Sequence, residues 1–252
     1  MDGNWLAVFD FDGVLVDPLE EVVQAATKTF NELNGTEHAP EFFFEKFANS
    51  THLIRTGKDV MPIIGMIAQG EDTTKMGRWQ INKLKQKMGE TEVLGLEGEY
   101  YKRKLELRED RDAWLNTLKP HQAAIEAFGK AMEQLDTWIV STRDAESILL
   151  FLESQGIWLE PEKIIDKTVS HEKDRQFELL AQKTRVPFAK MIFFEDTLYN
   201  AIDVKRLGVK VYLSTWGFSK DMQWKIAETK RIQLIKQEDI LPVIAGHAGV
   251  QF

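Results

Sequence analysis

The stretch WLAVFDFDGVLVDP, residues 5–18, decides how the rest of the chain is read. Residues 5–9 are five apolar side chains in a row with no polar alternation, the pattern of a short strand covered on both faces in a parallel sheet. The run ends in Asp10, Asp12 follows across Phe11, and Gly13 turns the chain. Asp17 and Pro18 then offer an N-cap and a first helical position. Leu19, Val22, Val23, Ala26, Phe30 and Leu33 recur at helical spacing until Gly35, which predicts a helix over residues 18–33. Read alone, two aspartates beside a turn are as readily caps as reagents.

Downstream of that helix, residues 41–48, 52–69, 74–88 and 97–118 carry helical patterns punctuated by Gly and Pro, with no convincing strand. An all-helical unit, residues 18–116, is therefore expected as an insertion after the first strand. Beyond Pro120 strand patterns (137–141, 163–165, 190–194, 209–213 and 231–235) alternate with helical ones near 145–155, 173–185, 198–207, 219–229 and 238–245. That rhythm is the signature of an α/β fold with a doubly wound, Rossmann-like parallel sheet, which binds ligands at the carboxyl ends of its strands. Residues 1–17 and 117–252 are assigned to this core.

Composition narrows the chemistry. With 252 residues, 43% of them apolar, the chain can build a sizeable core. Zero cysteines exclude disulfides, thiolate nucleophiles and thiolate metal sites, which fits a cytoplasmic protein whose metal, if any, is held by oxygen or imidazole. The excess of 40 acidic over 32 basic residues, with no basic patch interleaved with aromatics, argues against nucleic acid as a partner. Residues 5–9 follow acidic Asp2, lack a basic flank and are too short for a signal or membrane span, so no membrane partner is expected. A monomer or homodimer is expected.

A second acidic pair, Glu195-Asp196, ends the apolar run MIFF at residues 191–194. Parallel strands in one sheet would bring it beside Asp10 and Asp12, and carboxylates that close raise each other's pKa or demand a cation. The fitting ion is hard and oxygen-loving, and Mg²⁺ is the one expected. A third strand, TWIVS, ends in Ser141 and Thr142 with Arg143 next, and Lys173 opens a helix in the same half. Carboxylate nucleophile, metal, hydroxyl and lysine are together the parts that hold a transferring phosphoryl group and spread its charge.

These segments resemble the haloacid dehalogenase-like superfamily of phosphohydrolases. FDFDGVLVD resembles its first motif, TWIVSTR its second, Lys173 in EKDRQFELL its third and FFEDTLYNAIDVKRLG its fourth, in the expected order. The resemblance implies that Asp10 forms an aspartyl-phosphate and that Asp12 protonates the leaving oxygen, then activates water. It implies that Asp10, the Asp12 carbonyl, Glu195 and Asp196 surround Mg²⁺, and that Ser141 and Lys173 bind phosphoryl oxygens. The helical insertion is similar to the family's cap, and Arg55 and Lys58 on IRTGKDV stand where capped relatives place loop residues that meet the substrate. Val14 stands where many members have threonine. No Gly-Lys-Pro run surrounds Lys173, which leaves Lys167 as the alternative lysine.

The activity this implies is Mg²⁺-dependent phosphatase action on a small phosphorylated metabolite. A phosphomutase uses the same aspartates and keeps water out. A dehalogenase needs neither Asp12 nor the late acidic pair. A phosphonate hydrolase needs an imine-forming cap lysine, for which Lys58 is the candidate. A non-catalytic binding module would have no use for the intact set. Arg143 is read either as a substrate clamp, with Thr142 beside it, or as an ion-paired side chain.

Overall fold

The computed structural model describes residues 5–252; residues 1–4, Asp2 among them, lie outside the described residues. The chain divides into two compact units, one holding the N-terminal segment through Asp17 together with Pro120–Phe252, the other holding Pro18–Lys119.

The first unit is built on six strands: β1 (Leu6–Phe9), β2 (Asp136–Val140), β3 (Ile164–Ile165), β4 (Met191–Glu195), β5 (Lys210–Ser214) and β6 (Gln233–Ile235). They lie in the order β3-β2-β1-β4-β5-β6, and every neighbouring pair is parallel. This is the doubly wound order, and its direction reverses between β1 and β4. All four β1 residues are fully buried. That is why the run carries no polar alternation: each face of the strand is covered, and each large apolar side chain contributes roughly 1.5–3 kcal/mol by leaving water. Two expected strands are shorter in the structure. A 3-10 turn, Pro161–Lys163, precedes β3, and Arg231, with φ 54, cannot continue an extended strand, so β6 begins at Gln233.

The second unit is helical: α1 (Leu19–Asn34), α2 (Glu41–Ala48), α3 (Val60–Ala68), α4 (Arg78–Met88), α5 (Glu90–Glu109) and α6 (Arg111–Asn116). α1 departs from expectation at its start. Pro18 occupies the cap position and no side chain caps the helix, so Asp17 is not its N-cap. Its end is as expected, at Gly35 in the left-handed region. The expected helix over 52–69 is α3 preceded by two 3-10 turns, Thr51–Leu53 and Gly57–Asp59. Asp59 explains the interruption, because its carboxylate accepts the N–H groups of Arg55 (2.9 Å) and Thr56 (3.1 Å) and folds the chain back before α3. The charged stretch over 97–118 breaks at Asp110, whose carboxylate accepts the N–H of Ala113 (3.1 Å) and caps a new helix.

Two buried carboxylates tie this unit together. Glu21 on α1 accepts the Trp114 indole N–H (2.7 Å) and faces Lys104 (2.8 Å). Asp59, fully buried, faces Arg78 (2.9 Å) and Lys85 (2.5 Å) from α4.

The first unit is completed by α7 (Gln122–Gln134), α8 (Ala145–Ser154), α9 (Lys173–Thr184), α10 (Leu198–Arg206), α11 (Asp221–Thr229) and α12 (Ile240–Ala248). Its apolar core joins Leu6, Val8, Trp138, Phe193 and Leu213 of the sheet to Phe177 and Leu180 of α9 and Leu198 of α10. Burying those helix faces fixes where α9 and α10 begin, at the carboxyl ends of the strands.

Candidate active site

The register of β1 against β4 pairs Phe9 with Phe194, and the Asp10 N–H continues the ladder to the Phe194 carbonyl (2.9 Å). Asp10 and Glu195 therefore leave the sheet side by side at the point where the strand order reverses, and Asp196 follows. One carboxylate oxygen from each of the three lies within 4.8 Å of the others, and all three residues are buried.

Lys173, first residue of α9, is buried against this cluster. Its ammonium lies 2.9 Å from Asp10 Oδ2 and 3.7 Å from Glu195 Oε2, and it donates to the Val140 carbonyl at the end of β2 (2.6 Å). Of the two candidate lysines, Lys173 is thus the one seated on Asp10; Lys167 lies in the turn after β3, half-buried. Burial works against the Lys173 charge, but Asp10 and then Glu195 outweigh it and hold the pKa above the usual lysine range. Burial, reinforced by the Asp10 charge, pushes Glu195 well above the carboxylate range and Asp196 up to about 7.

Backbone donors hold the acids in place. Asp10 Oδ1 accepts the Phe11 N–H (2.7 Å), and Glu195 Oε1 accepts those of Asp196 (3.1 Å) and Thr197 (2.9 Å). Glu195 Oε2 is buried without a hydrogen-bond partner. Asp196 accepts the Thr197 hydroxyl on Oδ1 (3.1 Å) and the Phe218 N–H on Oδ2 (2.8 Å). Two glycines make room for it. A Cβ on Gly13, which has φ +77, would lie 1.9 Å from Asp196 Oδ2, and one on Gly217 would lie 2.3 Å from Asp196 Cβ. The loop after β5 is therefore part of this site, through Gly217, Phe218 and Ser219, whose hydroxyl donates to the Asp196 carbonyl (2.5 Å). Sequence reasoning missed it. The available signal was the segment WGFS (216–219) at the end of a strand pattern.

Asp12 stands beyond Asp10 and is paired. Buried Arg143 donates from Nε to both of its oxygens (2.9 and 3.1 Å) and lies over the Phe11 ring. Arg143 is thus ion-paired with Asp12. Its own N–H donates to Ser141 Oγ (3.2 Å), so the Ser141-Thr142-Arg143 turn is built around the aspartate pair. Ser141 is buried and Thr142 half-buried.

Arg55 and Lys58 belong to the helical unit, on either side of Gly57. A Cβ on Gly57 would meet the Tyr101 hydroxyl at 2.5 Å. Lys58 lines a cavity of about 440 Å³ there with Asn82, Lys85 and Gln86. Among the described residues no helix is long and apolar enough to cross a membrane.

Comparison with known proteins agrees with this geometry. The family model for Acid Phosphatase matches residues 162–229, the segment that carries Lys173, Glu195, Asp196 and Phe218. A human protein, Magnesium-dependent phosphatase 1, is 54% identical over 37 residues, which are 15% of this chain and 21% of that protein; the chain thus matches about a fifth of this relative's length. Among solved structures, a predicted phosphoglycolate phosphatase from Haemophilus somnus superposes with a TM-score of 0.66 at 14% identity, covering 95% of this chain and 97% of its own. A haloacid dehalogenase-like family hydrolase from Deinococcus radiodurans, solved with phosphate and sodium, superposes with a TM-score of 0.60 at 15% identity over 99% and 98% of the two chains. The fold is that of the haloacid dehalogenase-like hydrolases. Over residues 162–229 the chain is in addition similar to a phosphatase family.

Proposed function

We propose that the chain is a Mg²⁺-dependent phosphatase acting on a small phosphomonoester, with Asp10 as nucleophile and Asp12 as acid and base. The observation that carries this is the convergence of Asp10, Glu195 and Asp196 on Lys173. The residues suit Mg²⁺. Three carboxyl groups share one ammonium, so that burial and mutual repulsion hold the pKa values of Glu195 and Asp196 up unless a cation joins them; Glu195 Oε2 lacks a hydrogen bond, and every carboxylate donor is hard oxygen. The name of the human relative points the same way.

Asp10, Glu195 and Asp196 would hold the ion, which when bound neutralises charge on the phosphoryl oxygens. An Asp10 oxygen bonds to phosphorus as the ester P–O bond breaks, and Asp12 gives its proton to the departing alcohol oxygen. Asp12 then takes a proton from water, which attacks phosphorus, breaks the Asp10–phosphoryl bond and releases inorganic phosphate. Lys173 and Ser141 hold the transferring oxygens. Selection of the metabolite falls, on the resemblance, to the helical unit that carries Arg55 and Lys58.

The deciding experiment is a screen of phosphorylated sugars, nucleotides, organic acids and an aryl phosphate for phosphate release, with Mg²⁺ or a chelator. Release that requires Mg²⁺ is expected. No release from any compound sinks the reading, and an isomerised sugar phosphate without release makes the chain a mutase.

Arg143 acts in this scheme by holding Asp12. Arg143→Ala is expected to lower kcat by roughly 10- to 100-fold, part of the 10²–10⁴ that general acid–base catalysis supplies, with KM changed by no more than a few-fold. A raised KM with intact kcat would return Arg143 to the substrate.

Cation removal has a signed pH dependence. Asp196, raised to about 7 in the folded state from an ordinary 3.8, binds a proton more tightly folded than unfolded. Without a cation, stability therefore declines as pH rises through that window. Mg²⁺ competes with the same protons. At a hundredfold excess over Kd it is expected to raise Tm by roughly 5–10 °C at pH 8, and by much less at pH 5.5. A shift independent of pH, measured by scanning calorimetry, would remove the ion from this carboxylate cluster.

A further inference from the structure

Gln176 is fully buried on α9, three residues after Lys173, and so on the same face of the helix. Its Nε2 contacts three main-chain carbonyls: Ser141 (2.8 Å), Ser170 (2.9 Å) and Asp166 (3.1 Å). Its Oε1 is buried with no hydrogen-bond partner. An amide chosen only to fill this space leaves an acceptor unsatisfied that an apolar side chain of the same size would not have. The donor end is therefore what the position requires.

α9 grips the end of β2 with two side chains. Lys173 takes the Val140 carbonyl and Gln176 the next one, that of Ser141. The Ser141 N–H goes to the Ile165 carbonyl at the end of β3 (2.9 Å). There is no cis peptide among the described residues, so in the planar Ser141–Thr142 peptide the Thr142 N–H points opposite to the carbonyl that Gln176 holds. That N–H has no partner among the described residues. The Asp166 and Ser170 carbonyls bring the turn after β3 under the same amide. Asp166 in turn accepts the Ala145 N–H at the start of α8 (3.0 Å).

We propose that Gln176 is a positioning residue for the phosphoryl pocket: its amide sets the Ser141–Thr142 peptide, and with it the Ser141 hydroxyl and the free Thr142 N–H, relative to the lysine on the same helix. It acts through those groups and does not touch the substrate. This rests on the phosphatase reading above.

The test compares Gln176→Met, which keeps the volume and loses the donors, with wild type and with Gln176→Asn, which keeps the donors one methylene short. In Gln176→Met the KM for an aryl phosphate and the inhibition constant for inorganic phosphate are expected to rise together by about tenfold. The Mg²⁺ concentration for half-maximal rate should be unchanged, and amide hydrogen exchange should quicken over residues 141–144 and 166–171. Gln176→Asn should fall between the two, and it carries the test alone if the methionine variant does not fold. Wild-type hydrolysis with an unchanged KM in both variants, or a loss confined to kcat, overturns the positioning role while leaving the phosphatase reading intact. A wild-type enzyme that releases no phosphate overturns both.

Discussion

Asp10→Asn is expected to lower Mg²⁺-dependent hydrolysis of an aryl phosphate by at least about 10³-fold, as loss of a covalent nucleophile does elsewhere. The substitution is nearly isosteric, and the amide oxygen can still accept the Phe11 N–H that now binds Oδ1. What disappears is the charge. An amide oxygen is a poor nucleophile, and its NH₂ would meet the Lys173 ammonium where Oδ2 now sits at 2.9 Å. The fold should survive, because Lys173 keeps Glu195 and the Val140 carbonyl. The contrast with Asp12→Asn sharpens the assignment. A nitrophenolate leaves without needing a proton, so Asp12→Asn should release about one equivalent of nitrophenol and then stall, for want of a base in the second half. Asp10→Asn should give no burst at all. Steady turnover in Asp10→Asn, or a burst from it, would show that another group attacks phosphorus.

The parts of this site that were legible in the sequence lie at the ends of uninterrupted apolar runs. Phe9 and Phe194 are flush in the sheet, so the acids that follow them had to meet once the strands were taken as parallel neighbours. Lys173 was harder, since helix starts shift by a residue or two without leaving a trace in the pattern. The sequence put Lys173 ahead of Lys167, and the structure seats Lys173 2.9 Å from Asp10. Asp17 shows the limit of local rules: Asp before Pro is a strong cap signal, yet the helix starts one residue later with no side-chain cap. Arg143 was a candidate from the sequence, but its partner was not legible, nor were Gly217 and Phe218 as neighbours of Asp196, because each makes its contact with a segment distant in the chain. Arg143 meets Asp12 across 131 positions, and Gly217 has no room for a Cβ because Asp196 and the Gly13 carbonyl fill that space. Such closures follow from tertiary packing, which spacing along the chain does not encode.

The helical unit carries its own large effect at Asp59. Asp59→Ala is expected to destabilise the protein by about 3–5 kcal/mol, the cost of breaking a buried ion pair by removing one partner. The carboxylate is fully buried and serves four groups: the Arg55 and Thr56 N–H donors, Arg78 and Lys85. Removing it leaves two largely buried cations without their shared carboxylate and two backbone donors unpaired, so the loss exceeds that of a cavity of the same size. Burial alone would raise the Asp59 pKa, but Arg78 and Lys85 outweigh it and hold the group below its ordinary value. A depressed folded pKa gives stability that is fully present above the unfolded value and is lost as pH falls through the folded one. Urea titrations should therefore show the wild-type midpoint falling on the acid side, below about pH 4. Asp59→Asn should lack that limb and lie well below wild type at pH 7. The same carboxylate shapes the turn that bears Arg55 and Lys58, so its removal should loosen residues 55–59 in hydrogen exchange before the helices around them. An Asp59→Ala protein as stable as wild type at pH 7, with the acid limb intact, would show that Arg78 and Lys85 contribute little to holding this unit together.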